Sequence, residues 1–438
     1  MASPLRAFKD VSIAFATTAY IQVINIATGL LAARLLLPEG RGELAELMLW
    51  PGLIAELGCL ALSDALLYRI ASRAGTPRIL AGTITWLALG LCLVLAPLGI
   101  ALIPWTMASN HGDVRQAAYW YTPIFFVVYF ASLFAANMFQ GALDLKTWNL
   151  VRAIVPTCYL AGILVLASAI AAEAPEFAAA NLVAMGLSAL VGIALLRRRG
   201  WFGLRPDRGE ARAMLVYGAK SHASEILHSL RQKLDQVAVA ALMTASDLGL
   251  YAVALTVANG PLILVQTVSN IAFPKISAQE THGGKVEVFG KYLRLALAMV
   301  VAINIVLWIA NAWIIPLLFG RPFAAAVLVA DVMLLGLVPY TAKLLFSVAL
   351  KAFDRALAIP RAELWGLAFV APALFALVPR YGLYGAAASL VMAQVVSALV
   401  LGQRLARELD VHPLQLMRPT VADLAFVRSL AQRVTGRG

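Results

Sequence analysis

Long apolar segments recur along the whole chain and are separated by short stretches that contain polar residues, proline and glycine. Most segments have about 20 residues or more, and at about 1.5 Å of rise per residue a helix of that length crosses a hydrocarbon core of about 30 Å. The pattern therefore predicts an all-α, multi-pass (polytopic) membrane protein with about twelve transmembrane helices. The predicted spans are 11–34, 46–68, 79–103, 118–140, 148–170, 176–197, 218–243, 248–273, 292–316, 325–349, 358–379 and 383–405.

The composition excludes a soluble fold. Hydrophobic residues make up 61% of the 438 and charged residues 13%, whereas a soluble domain has about 45–50% and about 25%. No soluble basic domain is available to bind nucleic acid, so the net charge of +12 indicates contact with membrane lipids. The three cysteines, Cys59, Cys92 and Cys158, lie inside apolar segments, which predicts small apolar side chains and no metal site.

Lysine and arginine are distributed unequally between the two sides of the predicted membrane. With both termini inside, 26 of the 35 fall on the cytoplasmic side and five on the outer side. Cytoplasmic loops carry such an excess, so we expect cytoplasmic termini and an even number of spans. The tail at 408–438 mixes apolar residues with arginines, which fits a basic amphipathic helix on the inner leaflet or a disordered segment.

Short segments repeat between the two halves of the chain at offsets of 206 to 210 residues. The matches are Gly42-Glu43-Leu44-Ala45 with Gly249-Leu250-Tyr251-Ala252, Arg69-Ile70 with Lys275-Ile276, and Ala142-Leu143-Asp144 with Ala352-Phe353-Asp354. Six spans per half give both halves the same orientation, which is common in secondary transporters; a duplicated membrane scaffold without transport is the alternative. We predict six-helix lobes at 1–200 and 213–407, a cytoplasmic linker at 201–212 and the tail at 408–438.

The seventh span is unusually polar for a membrane helix. Charged residues at the centre of a span cost about 2.5–3.5 kcal/mol each on insertion scales, so they must face protein or water. At about 100° per residue, most polar side chains of this span share one stripe opposite an apolar face. Such groups usually mark a substrate or ion pathway, and ion pairs that only hold the helices together are the alternative. The candidate cavity residues are Lys220, Glu225, His228, Arg231, Gln232 and Asp235, with Glu56 from the second span.

Two further points concern this span. Arg231 and Asp235 lie one turn apart and can pair, whereas Lys233 and His222 lie off the stripe and are left unassigned. Secondary candidates in other spans are Asp64, Arg69, Asp331 and Lys343.

The chain lacks the motifs of enzymes. It contains no GxSxG elbow, no P-loop and no HExxH sequence, so we predict no catalytic residue, no metal and no organic cofactor. Without a nucleotide-binding loop, active transport must draw on an ion gradient or on the gradient of the substrate. Glu225, Asp235 and Glu56 are candidates to bind a coupling proton or sodium ion.

Several segments resemble a known family. Residues 33–45, Ala-Arg-Leu-Leu-Leu-Pro-Glu-Gly-Arg-Gly-Glu-Leu-Ala, are similar to the segment that joins the first two spans of bacterial polysaccharide flippases of the Wzx type. These belong to the multidrug/oligosaccharidyl-lipid/polysaccharide exporter (MOP) superfamily. Looser matches are Asp235 followed by 249–254, then 273–277 and 318–320, so the resemblance covers both halves. It implies two parallel six-helix repeats around a central cavity that opens alternately to either side.

The resemblance implies a membrane transporter and not an enzyme. Its cargo would be a polyprenyl-pyrophosphate-linked oligosaccharide, moved from the cytoplasmic to the periplasmic leaflet of the bacterial inner membrane for cell-surface or exopolysaccharide synthesis. It also implies that cationic cavity residues receive the pyrophosphate, and by type and place these are Lys220 and Arg231. Membrane lipids, a polysaccharide polymerase and chain-length proteins are the further candidate partners.

Two other functions stay open. One is an ion-coupled multidrug antiporter of the same superfamily, which predicts a cavity dominated by carboxylates and aromatic rings. The other is a membrane polymerase or ligase of glycan assembly, which predicts a large outer loop with catalytic residues. The longest predicted outer loop, 104–117, is short for that role.

Overall fold

The computed structural model describes residues 4–107, 112–168, 172–355, 358–409 and 413–417. Most of the predicted tail lies outside these ranges. Within them all regular structure is helical, with a 3-10 turn at Arg321–Phe323. The helices are α1 (Pro4–Gly58), α2 (Leu62–Ala71), α3 (Pro77–Thr106), α4 (Gly112–Gly141), α5 (Leu145–Ala167), α6 (Ala174–Arg198), α7 (Arg208–Leu242), α8 (Ala245–Asn259), α9 (Leu262–Ser277), α10 (His282–Phe319), α11 (Ala326–Leu335), α12 (Leu337–Ala352), α13 (Ala358–Leu409) and α14 (Pro413–Leu416).

Nine helical segments among the described residues are long and apolar enough to cross a membrane. The first and last of these, in α1 and α13, each contain two predicted spans that meet at a residue with non-helical backbone angles. α7 is not among the nine because it is too polar, yet it coincides with the seventh predicted span. The predicted all-α class with twelve spans is therefore confirmed, and the protein is a multi-pass membrane protein.

The turns inside α1 and α13 occur at Leu37 and Gly382. Leu37 has φ 60° and ψ 179° and directly precedes Pro38, whose ring disfavours the helical conformation in the residue before it. Gly382 has φ 59° and ψ −135°, a combination open to glycine because it has no Cβ. Each turn joins two successive spans without a loop of several residues.

Three predicted spans are interrupted. The second consists of the end of α1 followed by α2, and between them Leu60 and Ala61 have left-handed φ values of 51° and 50°. The eighth is divided between α8 and α9 at Gly260-Pro261, and the tenth between α11 and α12 at Gly336. The sequence predicted continuous helices here. In membrane proteins, backbone outside a regular helix is tolerated where it lines a cavity or is enclosed by protein.

Packing divides the chain into two compact units. The first extends to Val253 and includes Leu318–Phe323, and the second contains Ala254–Leu317 and the chain from Ala324 onward. These units are defined by packing, whereas the predicted lobes are defined by internal similarity, so the lobe boundaries stay a prediction.

Each unit has its own buried aromatic contacts. In the first, α4 supplies a ladder of rings, with centroids 6.4 Å apart between Phe126 and Phe130 and 5.7 Å apart between Phe130 and Phe134. In the second, the ring centroids of Phe289 and Phe346 lie 6.3 Å apart. All five rings are buried, so each unit has an apolar core of its own.

α1 and α8 touch within the first unit through two glycines that the sequence repeat places at equivalent positions. A Cβ built on Gly42 would lie 1.6 Å from the carbonyl oxygen of Ala245, and one built on Gly249 would lie 1.9 Å from that of Pro38. Backbones this close leave no room for a side chain. This contact explains why both repeated segments begin with glycine.

The predicted linker 201–212 packs along α3. Trp86 Nε1 donates a hydrogen bond to the carbonyl oxygen of Leu204 at 2.7 Å, and the backbone N–H of Asp207 donates to the Thr83 hydroxyl at 3.0 Å. The Asp207 carboxylate also accepts from the backbone N–H of Glu210 at 2.8 Å, which caps α7 at its first turn. These contacts fix the start of the polar helix α7.

Candidate functional site

A polar cavity of about 340 Å³ lies within the first unit, beside the interruption of the second span. α1, α2, α4 and α7 provide its walls, and we call it the Lys233 cavity. Its lining residues are Glu56, Cys59, Ala61, Ser63, Asp64, Tyr129, Leu133, Glu225, Ser229, Gln232 and Lys233. Four of them, Glu56, Asp64, Glu225 and Gln232, were named as site candidates from the sequence, and the fold brings them together.

An ion pair bridges two walls of the Lys233 cavity. The Lys233 ammonium donates to Glu56 Oε1 at 2.7 Å, and the two side chains are 24% and 34% exposed. Gly52, one turn before Glu56, faces the same ammonium, and a Cβ built there would lie in ordinary van der Waals contact with Lys233 Nζ, at 3.6 Å. Sequence reasoning left Lys233 unassigned since it lies off the polar stripe of α7. The available signal was that a lysine at membrane depth needs an opposite charge, and Glu56 lies mid-way along another span.

The lining of the Lys233 cavity is more acidic than basic. Besides Glu56, the acidic residues Asp64 and Glu225 line it, and Lys233 is the single cation among the described lining residues. Neutral donors and acceptors complete the wall: Ser63, Tyr129, Ser229 and Gln232. Among the described residues, no three histidine, cysteine, aspartate or glutamate side chains are grouped to hold a metal ion. The cavity can hold water, a cation or the polar part of a larger ligand, and an anion would bind by drawing Lys233 away from Glu56.

The other predicted cations of α7 are not in the wall of this cavity. Lys220 is exposed and Arg231 is half-buried. The side chain of His228 lies outside the described part of the chain. The assignment of Lys220 and Arg231 to a pyrophosphate stays a prediction.

Asp235 has a neutral donor that the sequence did not indicate. Its side chain is buried and accepts a hydrogen bond from the Tyr251 hydroxyl at 2.7 Å. Tyr251 lies on α8 and is itself fully buried. The sequence suggested a different partner for Asp235, namely Arg231, one turn away on the same helix. The Tyr251 bond ties the end of α7 to the helix that follows it.

Arg69 forms a two-point ion pair with Glu210 in the first turn of α7. The distances are 2.6 Å from Nη2 to Oε1 and 2.8 Å from Nε to Oε2. This fork geometry gives both strength and a fixed orientation. The pair therefore holds α2 against the start of α7, two of the helices that line the Lys233 cavity.

The secondary candidates of the second unit form contacts inside that unit. Lys343 Nζ on α12 lies 3.2 Å from Glu363 Oε1 on α13, and the side chains are 5% and 18% exposed. Asn311 on α10 donates to Asp331 Oδ1 on α11 at 2.7 Å. Both contacts join neighbouring helices and are largely enclosed.

A second cavity in the first unit, with a mainly apolar wall and a few polar groups, was not foreseen. Its volume is about 360 Å³, and we call it the Arg41 cavity. Its lining residues are Ile21, Asn25, Thr28, Gly29, Ala32, Arg41, Leu44, Met48, Val155, Pro156, Tyr159 and Asn181. Sequence reasoning passed over Arg41 because it lies between the first two spans, where a charge costs little.

Comparison with solved structures identifies the fold. The chain is similar to the lipid II flippase MurJ in an inward closed conformation, with a TM-score of 0.73, 15% identity, and coverage of 95% of this chain and 92% of that one. It is also similar to an inward-facing multidrug resistance MATE family transporter of the MOP superfamily, with a TM-score of 0.69, 14% identity, and coverage of 89% and 94%. A MOP superfamily transporter from Pyrococcus furiosus gives a TM-score of 0.58 at 14% identity, with coverage of 94% and 96%. At these identities the likeness establishes the fold.

Comparison of the sequence identifies the family. No curated protein matches the sequence. The profile of one family, described as "Polysaccharide biosynthesis protein", matches residues 31–328. The matched region contains the whole of α7 and every residue that lines the Lys233 cavity. With a match over about two thirds of its length, the chain belongs to this family of polysaccharide biosynthesis proteins and has the fold of MOP superfamily transporters.

Proposed function

We propose that the protein is a flippase. It moves a polyprenyl-pyrophosphate-linked oligosaccharide from the cytoplasmic to the periplasmic leaflet of a bacterial inner membrane by alternating access, and so supplies units for a surface polysaccharide. The family match carries the proposal. The fold, which is similar to that of a lipid II flippase, supports it, and the distribution of lysine and arginine supports cytoplasmic termini.

The chemistry of such a cargo requires a wet path at membrane depth. A sugar-pyrophosphate headgroup cannot enter hydrocarbon unaided, because its charges and hydroxyls would lose their hydration. The Lys233 cavity supplies polar groups at that depth, and the exposed Lys220 extends the polar surface of α7. Charge-assisted hydrogen bonds to phosphate oxygens would offset the lost hydration, while the polyprenyl tail stays in lipid.

The Lys233–Glu56 pair fits a binding step in which partners are exchanged. Both side chains keep contact with the cavity, so a phosphate oxygen can take the place of Glu56 on the Lys233 ammonium. Glu56, once released, becomes an uncompensated carboxylate and a site for a proton or a sodium ion. The exchange therefore gives a way to couple cargo binding to an ion gradient.

A second function has one observation in its favour. Three carboxylates and the Tyr129 ring line the Lys233 cavity, which is the lining expected of an ion-coupled multidrug antiporter that accepts cationic compounds. One of the similar folds belongs to a multidrug resistance transporter. The two functions differ in cargo, and cargo can be measured directly.

The test is translocation of a labelled polyprenyl-pyrophosphate oligosaccharide in proteoliposomes that contain the full-length protein. Lys233→Ala is the test variant, and Lys220→Ala and Arg231→Ala examine the two cations chosen from the sequence. Lys351→Ala is the matched control, because Lys351 is an exposed lysine at the end of α12. Reconstituted amounts are equalised before the rates are compared.

The flippase proposal requires the headgroup to reach the far leaflet with the wild-type protein and with Lys351→Ala. Slow translocation by Lys233→Ala would give the cavity a role in it. If no protein moves the lipid-linked sugar, but an imposed proton or sodium gradient drives a cationic dye out of the vesicles, the antiporter replaces the flippase.

A further inference from the structure

The Arg41 cavity contains two buried polar groups that have no hydrogen-bond partner among the described residues. They are Arg41 Nε and the Tyr159 hydroxyl, and the Tyr159 side chain is only 9% exposed. The large majority of buried side-chain polar atoms in proteins are hydrogen-bonded, and leaving one without a partner costs about 1–3 kcal/mol. Two such groups in the wall of one cavity point to a ligand that completes them.

Three transmembrane helices hold these groups in place. Arg41 follows the sharp turn at Leu37 within α1, Tyr159 lies on α5, and Asn181 lies on α6. Asn181 is buried, and its Oδ1 accepts a hydrogen bond from Tyr121 at 3.4 Å, which leaves its amide NH₂ group as a donor. Asn25 adds an exposed amide to the same wall.

The charge of the Arg41 cavity is opposite to that of the Lys233 cavity. Among the described residues of the lining, Arg41 is the single charged one and none carries a carboxylate. A guanidinium binds a carboxylate or a phosphate through two parallel hydrogen bonds. The cavity therefore favours an anion, and at about 360 Å³ it falls within the size range of small-molecule sites.

The number of charges selects among anions. One guanidinium balances one carboxylate, whereas a pyrophosphate carries more than one negative charge and would leave the remainder uncompensated in a partly enclosed site. The neutral groups of Tyr159, Asn181 and Asn25 are suited to sugar hydroxyls, each of which both donates and accepts.

We propose that the Arg41 cavity binds a sugar acid, with the sugar carboxylate on Arg41 and the ring hydroxyls on Tyr159, Asn181 and Asn25. This inference rests on the proposed function, because the sugar acid would be one residue of the lipid-linked oligosaccharide. It adds a preference for cargo that contains a hexuronate.

The test is binding of free sugars to the full-length protein in detergent, measured by saturation-transfer NMR titration. Glucuronate and glucose are the probes, since they differ by the carboxylate, and inorganic pyrophosphate is added as a competitor. Arg41→Gln removes the charge, and Tyr159→Phe removes one hydroxyl and keeps the ring. Arg115→Gln and Tyr119→Phe are the matched controls, because both residues are exposed on α4 and neither lines the cavity.

We expect saturable binding of glucuronate that is about tenfold tighter than that of glucose. This is the difference that a hydrogen bond between charged groups contributes. Arg41→Gln should reduce glucuronate binding to the level of glucose. Tyr159→Phe should weaken both sugars by a few-fold, about the contribution of one neutral hydrogen bond, and the controls should match the wild type.

Three results would overturn the proposal: equal binding of both sugars by the wild type, unchanged glucuronate binding by Arg41→Gln, or displacement of glucuronate by far lower concentrations of pyrophosphate. The sugar-acid proposal and the flippase proposal can fail independently of each other. Translocation of a lipid-linked oligosaccharide without glucuronate binding would remove only the former, and glucuronate binding without translocation only the latter.

Discussion

The ion pairs Lys233–Glu56 and Lys343–Glu363 each join two helices, one pair in each compact unit, and they differ in how far they are enclosed. Lys233 and Glu56 are 2.7 Å apart with side chains 24% and 34% exposed. Lys343 and Glu363 are 3.2 Å apart with side chains 5% and 18% exposed. The Lys343 ammonium also lies 5.1 Å from the centre of the Tyr340 ring. The same two residue types therefore occupy an open site in one unit and an enclosed one in the other.

The difference in exposure decides what each pair can do. An enclosed pair loses much of its hydration, and removing one partner leaves a charge that neither water nor protein compensates. An open pair gains little from its attraction, and each group can take a new partner at small cost. Enclosed pairs are therefore suited to joining helices, and open pairs to binding.

Replacing one member of the enclosed pair should have the largest effect. We expect Lys343→Ala to lower the free energy of unfolding by about 3 kcal/mol, because the largely enclosed Glu363 carboxylate would lose its lysine. Thermal unfolding of the purified protein in detergent measures this loss.

A double variant separates charge from packing in that experiment. In Lys343→Met with Glu363→Leu both charges are replaced by apolar groups of similar size, and we expect most of the lost stability to return. If Lys343→Ala unfolds at the wild-type temperature, the pair between α12 and α13 is not structural, and exposure does not separate the two pairs.

The buried Asp235 carboxylate has a neutral hydrogen-bond donor, Tyr251, where the enclosed Glu363 carboxylate has a charged one, Lys343. Tyr251→Phe removes the hydroxyl that donates to its carboxylate and leaves the ring in place. The expected loss is about 1–3 kcal/mol, the cost of one buried group left unsatisfied. Tyr384→Phe is the control, since Tyr384 is exposed, and its unfolding temperature should equal that of the wild type. Equal values for Tyr251→Phe would mean that another group satisfies Asp235.

The Arg69–Glu210 pair is intermediate, with side chains 21% and 14% exposed. Glu210→Gln keeps the shape of the side chain and removes its charge, so we expect a loss of about 1 kcal/mol, near the lower end for a charged hydrogen bond. Glu408→Gln is the control. Its partner Arg355 is 61% exposed, and although Glu408 raises the pKa of Arg355 through their hydrogen bond, the thermal midpoint should not change measurably. A loss as large as that of Lys343→Ala would contradict the ranking by exposure.

The spans were predictable because a membrane helix needs about 20 apolar residues in one run, a property of the local sequence alone. The interruption of the second span was not. Leu60 and Ala61 are left-handed although neither is a residue that favours that conformation, so tertiary contacts impose the break. In the eighth span Gly260-Pro261 carried a local signal, but its apolar neighbours masked it.

The site was predictable in part. Charged residues inside an apolar run stand out, which is why Glu56 and Glu225 were found. Lys233 was missed because a helical wheel considers one helix, whereas the partner of a charge is set by the neighbouring helix. Arg41 and Tyr159 are far apart in the chain, and nothing in either local pattern indicates that they line one cavity.

The open pair should show the smallest loss of stability and a large loss of function. Lys233→Met removes the charge and keeps much of the side chain, so we expect the free energy of unfolding to change by less than about 1 kcal/mol, as for ion pairs that keep contact with water. Translocation of the lipid-linked oligosaccharide should fall by about 10- to 100-fold, since a hydrogen bond between charged groups contributes about 1.5–3 kcal/mol.

The Glu56→Gln variant leaves Lys233 available to the cargo. This variant should therefore still bind the cargo, but its translocation rate should no longer depend on a proton or sodium gradient. If Lys233→Met instead unfolds as readily as Lys343→Ala, the open pair holds helices together as the enclosed one does. A cavity wall that depends on the pair for its stability cannot release Lys233 to a phosphate, and the exchange of partners would then be excluded.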